Sequence, residues 1–107
     1  MNGDERRIMK VSVISPTRVG FEGEAESVIV PAYDGLLGIL YNHAPMMVLL
    51  GDGELVIRDG EEEHRLRVSG GFLQVVDNVV SVLAEEVGTF EEGTRDAEGT
   101  SDGVQQA

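Results

Sequence analysis

The 107-residue chain has no cysteine and no tryptophan, three phenylalanines, two tyrosines and a single lysine, Lys10. Without cysteine there is no disulfide framework, no thiolate metal site and no thiol nucleophile, and the composition fits a reducing compartment. With so few rings, Val, Leu and Ile must fill the core, which leans towards β structure. Long apolar runs are missing too. The longest, Ala44–Leu50, contains Pro45 and falls far short of the ~20 residues that span a bilayer. The opening MNGDERRIMK carries charges but no apolar signal-peptide core, so the chain reads as soluble and on the cytoplasmic side. Positive charge is scarce: eight Lys and Arg stand against twenty acidic residues, a net charge of −12. Such a balance repels nucleic acid and anionic lipid, which need clustered Lys and Arg. It reads first as a solvated acidic surface that aids solubility, with adaptation to a salty cytoplasm or repulsion of wrong partners as the functional alternative.

Catalytic chemistry is also hard to place. The two histidines, His43 and His64, are far apart in sequence, and a zinc site needs three or four converging ligands. There is no G-x-S-x-G elbow and no phosphate loop ending in Gly-Lys-Ser/Thr. Asp52-Gly53-Glu54 and Asp59-Gly60-Glu61 lack the ligand spacing of an EF-hand. His64 reads as an edge or solvated imidazole, and His43 as a residue that shapes a turn. No catalytic, cofactor-binding or metal-binding residue is expected.

What is present is a period of two. Met9, Val11 and Val13 alternate with Lys10 and Ser12, and the run stops at Ser15-Pro16. Val19 and Phe21, then Val28–Val30, then Ile39-Leu40, then Met46–Leu50 follow as short strands. Gly51-Asp52-Gly53 is a turn signal, and Asp59-Gly60 suits a two-residue hairpin because both residues tolerate positive φ. The runs Leu55–Arg58, His64–Ser69, Phe72–Val76 and Val79–Ala84 complete the series. Gly70-Gly71 and Asp77-Asn78 read as the turns between the last three. The expected fold is all-β, a flattened barrel or β-sandwich of about ten short strands in two sheets.

The segment Val30–Pro45, VPAYDGLLGILYNHAP, is the least regular. Two Pro, two Gly, Asp34, Asn42 and His43 interrupt apolar stretches, so it reads as a shaped surface loop entering a short buried strand. From Gly88 to Ala107 the residues Glu91, Glu92, Asp96, Glu98 and Asp102 stand among glycines, with few apolar side chains. Such a stretch cannot bury enough surface to offset its ordering entropy. The division expected is a flexible N-terminus at 1–7, a β domain at 8–87 and a disordered acidic tail at 88–107.

In order along the chain, Val11–Pro16, VPAYDGLLGILYNHAP, Gly51-Asp52-Gly53-Glu54-Leu55, Val68-Ser69-Gly70-Gly71-Phe72 and Val79–Ala84 form a series that resembles the N-terminal domain of the epsilon subunit of F-type ATP synthase, called delta in mitochondria. The resemblance covers about residues 9–87. It implies a ten-stranded β-sandwich, no catalysis, and a place in the central rotor stalk. The implied partners are the gamma subunit and the membrane ring of c subunits, with no nucleic acid and no obligate homo-oligomer. The implied location is peripheral, on the cytoplasmic face of the inner (plasma) membrane, where rotation driven by proton transport is coupled to ATP synthesis. Tyr33, Asp34, Gly35, Leu36, Leu37, Gly38, Leu40, Tyr41, Asn42 and His43 match the family's interface segment, with Asp34–Leu37 at its ring-facing edge and the His43 turn beside it.

Three departures qualify that match. Leu36 stands where members commonly carry Glu, so a charge able to meet a basic ring loop is absent. Tyr41-Asn42 replaces a common Pro-Gly, and Asn tolerates the positive φ that Gly would supply. After residue 87 no helical periodicity appears, so the two-helix inhibitory domain of many members, with its nucleotide site, is expected to be missing. The reading from another class is a free-standing β-sandwich that binds a small molecule or a peptide.

Overall fold

A computed structural model describes residues 7–89. Eight strands follow one another: β1 (Met9–Ser15), β2 (Arg18–Ala25), β3 (Ser27–Ala32), β4 (Gly35–Leu40), β5 (Met46–Leu49), β6 (Asp52–Asp59), β7 (Glu62–Val76) and β8 (Val79–Thr89). No helix occurs among the described residues. The strands hydrogen-bond in the order β2-β1-β8-β7-β6-β3-β4, with β5 on β7. All pairings are antiparallel except β1 with β8, which is parallel.

The register divides this continuous sheet into two layers. Residues 71–76 of β7 pair with Met46–Leu49 on one side and residues 79–84 of β8 on the other. Residues 62–69 pair instead with Asp52–Asp59 and with residues 86–89 of β8. The first layer is therefore β2, β1, the start of β8, the end of β7, and β5. The second is the end of β8, the start of β7, β6, β3 and β4. Because β7 and β8 serve both layers, eight strands supply the ten segments expected. A single apolar cluster draws buried side chains from both layers, including Val13, Val30, Ile39, Leu55, Leu73 and Val82. Each is a period-two position facing inward, as alternation requires.

Two elements differ from the sequence reading. Gly70-Gly71 is not a hairpin turn but lies inside β7, with φ of 67° and 100°. In the ladder Ser69↔Glu86 and Gly71↔Ala84 are flanking pairs, with Gly70 and Glu85 as the single residues between. No residue is extra, and the positive φ of the two glycines bends the continuous strand from one layer into the next. Val30–Pro45 is not a loop. Val30–Ala32 closes β3, Tyr33-Asp34 makes a two-residue turn, and Gly35–Leu40 returns in register as β4. Strand pairing satisfies the backbone there, which is why an apolar segment can sit at the surface. Asp77-Asn78 is a turn as expected, at φ of 52° and 64°. The β6–β7 hairpin turns instead on Gly60-Glu61, one residue later than expected, with Gly60 at φ 64° and Asp59 paired to Glu62 as the last residue of β6. β8 runs through Thr89, two residues past the expected end of the domain. The expectations for residues 1–6 and 90–107 lie outside the described residues.

Candidate interaction surfaces

β4 is the free edge of the second layer. Its alternation sends Leu37 and Ile39 inward, Leu37 against the core cluster and Ile39 fully buried. Leu36 and Leu40 point out, 76% and 62% exposed. Ile29 of β3 lies beside Gly38 on the same outer face, and Tyr33 and Asp34 stand exposed at the turn. Gly35, at φ 137°, takes a conformation that side-chain-bearing residues rarely adopt, which lets the turn close in two residues. The turn end is pinned by the backbone: Tyr33 N–H donates to Leu49 O at 2.9 Å and Gly51 N–H to Pro31 O at 2.8 Å.

The ten expected interface residues therefore share one edge but not one spot. Tyr33–Leu36 lie at one end of β4 and Tyr41–His43 at the other, about 17 Å away at ~3.3 Å per residue. The His43 turn is thus not beside the Asp34 turn. At that far end Asn42 has φ 66°, the conformation expected for it. His43 N–H donates to Leu40 O at 3.0 Å, and its ring Nδ1 lies 2.8 Å from Ala44 O. The imidazole is a turn element. His64, far from it in β7, packs at 5.0 Å between ring centroids against Phe21 of the opposite layer.

A second surface went unread in the sequence. On the outer face of the first layer the register lines up Leu49, Phe72, Leu83, Ile14 and Val19 across all five segments. Leu49 and Val19 are 63% exposed, Phe72 and Leu83 36%. Scattered surface apolar residues are ordinary, but an unbroken apolar row spanning a layer marks a contact face. The signal that could have found it is loss of alternation: Val13-Ile14, Leu49-Leu50 and Val82-Leu83 are apolar at both parities, so both faces of these strands are greasy.

The second layer's outer face carries charge instead. Glu63 pairs with Arg58 and, at 2.5 Å, with Arg65, whose guanidinium also meets Glu54 at 2.9 Å. The hydrogen bond from Arg58, reinforced by Arg65, holds the Glu63 carboxyl below its usual value of 4.5. A carboxylate depressed by folding contributes stability above its unfolded pKa and loses it as pH falls through the folded value. Glu63→Gln is therefore expected to melt with a shallower acid dependence than the parent below pH 4.5. Thermal melts across the acid range check this, and high salt should shrink the difference because exposed pairs are screened.

Among the described residues no group of three or more His, Asp or Glu is placed to hold a metal ion. The described residues offer two exposed apolar contact surfaces. Residues 8–89 match the family model of the ATP synthase delta/epsilon chain β-sandwich domain. The chain belongs to this family. It is 48% identical over 77 residues to the ATP synthase epsilon chain of Leptospira borgpetersenii, covering 72% of this chain and 61% of that one. To the chloroplastic epsilon chain of Tetradesmus obliquus it is 37% identical over 90 residues, 84% of this chain and 65% of the relative. The chain thus spans about three-fifths of the length of these epsilon chains. In fold it matches a chain in the cryo-EM structure of the Euglena gracilis mitochondrial ATP synthase, with TM-score 0.74, 21% identity, and coverage of 86% and 59%. A chain of the Tetrahymena thermophila central stalk and c ring gives TM-score 0.65 at 18% identity, with coverage of 83% and 72%.

Proposed function

We propose that this epsilon-family chain is a non-catalytic rotor subunit of an F-type ATP synthase, joining a gamma subunit to the ring of c subunits. In that position it couples proton-driven ring rotation to ATP synthesis, and it sits peripherally on the cytoplasmic face of the membrane that holds the ring. The observation that carries this reading is the pair of separate exposed apolar surfaces, the β4 edge and the first-layer row, on one covalently continuous sandwich. A part that transmits torque needs two grips and a stiff body between them, and it needs no chemistry of its own.

The β4 turn end, with Asp34 and Leu36, is the ring grip in this reading, and the first-layer row is the gamma grip. Because Leu36 replaces an acidic side chain, the ring contact depends on Asp34 for charge and on Leu36 for apolar area. Burying one Leu side chain contributes about 1.5–3 kcal/mol. Asp34→Ala and Leu36→Ala are each expected to reduce crosslinking to the ring and the coupling ratio in the assembled enzyme, with the isolated subunit's melting temperature unchanged. Wild-type crosslinking and coupling in both variants would refute this ring contact. Copurification tests the whole reading: a rotor subunit retains a gamma-type partner, whereas a free-standing peptide or small-molecule binder does not.

A further inference from the structure

The turn after β4 carries the chain from the second layer into β5 of the first, and its side chains are joined to the turn between β7 and β8. Asn42 N–H donates to Asn78 Oδ1 at 2.6 Å, and Asn78 Nδ2 donates back to Asn42 Oδ1 at 3.1 Å. Both residues hold positive φ, 66° and 64°, which aims each side chain at the other turn. Asn78 O also accepts from Lys10 N–H at 2.9 Å, so its turn is anchored to β1. β4 is laddered to β3 along its whole length. Beside its Gly35 end, Tyr33 and Pro31 add backbone bonds to Leu49 and Gly51, whereas beyond its Leu40 end the added tie is a side-chain pair. A glycine at position 42, the common choice in the resembling family, could offer only half of it.

We infer that Asn42 and Asn78 form a positioning latch that fixes the far end of the β4 edge against the first layer. Without the pair, the Leu40 end of β4 keeps its ladder to Ser27 but loses this tie to the first layer and gains freedom to shift against it. With it, the exposed edge and the apolar row keep one mutual orientation. The latch is a property of the free chain. Its importance for torque rests on the rotor reading, but its existence does not.

The absence of native cysteine makes the test direct. Leu40→Cys and Val19→Cys place spin labels on two exposed sites, one on each layer, in the full-length chain. Asn78→Gly keeps the backbone conformation, since glycine accepts φ near 64°, but removes both side-chain bonds. It is expected to speed hydrogen exchange of the Asn42 amide roughly fivefold, about what one hydrogen bond is worth. It should also broaden the Leu40–Val19 label distance distribution, which a simple loss of stability would not do. Asn78→Asp keeps the acceptor and should preserve amide protection while the distribution broadens part-way. Unchanged exchange in Asn78→Gly, an unchanged distribution, or equal loss of protection in Asn78→Asp each overturns the latch. Failure to copurify with gamma would refute the rotor reading and leave these readouts intact.

Discussion

Gly71→Ala is expected to cost about 4–5 kcal/mol of stability or more, whereas Gly70→Ala should cost far less. The two glycines are neighbours with similar positive φ, so conformational strain of about 1–2 kcal/mol applies to both. What differs is the neighbour that a methyl group would strike. At Gly71 it would stand 2.0 Å from Leu83 O and 2.8 Å from Ala84 Cα, both backbone atoms of the paired strand β8. Those atoms cannot retreat without opening the β7–β8 ladder at the bend on which both layers depend. At Gly70 the nearest atom is the Glu85 carboxylate, the free end of a flexible side chain. The Gly71 substitution therefore belongs with the rare changes that cost about 4–5 kcal/mol or more, set against a total of about 5–15 kcal/mol for a domain. Gly70→Ala should lower the melting temperature by roughly 4–8 °C for each kcal/mol of strain. Circular dichroism melts of the two variants decide the matter. Similar melting temperatures for both would mean that the bend tolerates a side chain at Gly71 and is not where the layers are set.

Leu83→Glu is expected to weaken binding to a gamma-type partner by about 30-fold or more, the effect of losing a contact worth ~2 kcal/mol. Leu83 sits mid-row, between Phe72 and Ile14 in register. Contact residues near the centre of a patch, where neighbours exclude water, carry most of the binding energy. A carboxylate there would have to be desolvated without a partner. The cost to folding should be small, within about 1 kcal/mol, because the side chain faces outward and only β-propensity is lost. Gln74→Glu supplies the control, on the same face one row away beside Ser81, and should bind within about twofold of wild type on the scale where ~1.4 kcal/mol is tenfold. Calorimetric titration separates these outcomes. Equal affinity for Leu83→Glu and wild type would remove the first-layer row as the gamma grip.

The sequence was most legible where one residue's conformational preference decides the structure. Asp77-Asn78 is a turn, and Gly60 opens one, because these residue types tolerate positive φ, and Asn42 takes the conformation that its substitution for Gly required. The inward set, Met9, Val11 and Val13 or Leu55 and Ile57, is readable because alternation is a local property. Gly70-Gly71 reads as a hairpin from sequence because the same residue pair serves a hairpin turn and a bend inside one strand. Only the pairing of Phe72–Val76 with a strand already shared by Leu66–Ser69 tells them apart, and that is long-range information. Val30–Pro45 looked like a loop for a similar reason, since nothing local reveals that Pro31 lies opposite Leu36. The exposed row was hidden because Ile14, Leu49 and Leu83 are apolar neighbours of core residues. Composition cannot say which of two adjacent apolar side chains faces water. The family motifs pointed to the β4 edge, but they could not show that its two turns stand at opposite ends of the strand.

The one parallel pairing, Lys10–Ile14 of β1 against Val79–Leu83 of β8, has a consequence for biogenesis. Until the ribosome has released the last of these residues, β1 has β2 on one side and nothing on the other. The matching edge of β7 is equally bare, and unpaired strand edges invite pairing with other chains. Loop closure over so long a separation is slow, because entropy is lost before contacts compensate. Newly made chains therefore pass through an interval in which they are long enough to associate wrongly and too short to close. Repulsion among like charges is most useful in that interval: residues 1–78, made before β8, hold thirteen Asp and Glu against seven Lys and Arg, a net charge of −6, so nascent copies repel one another.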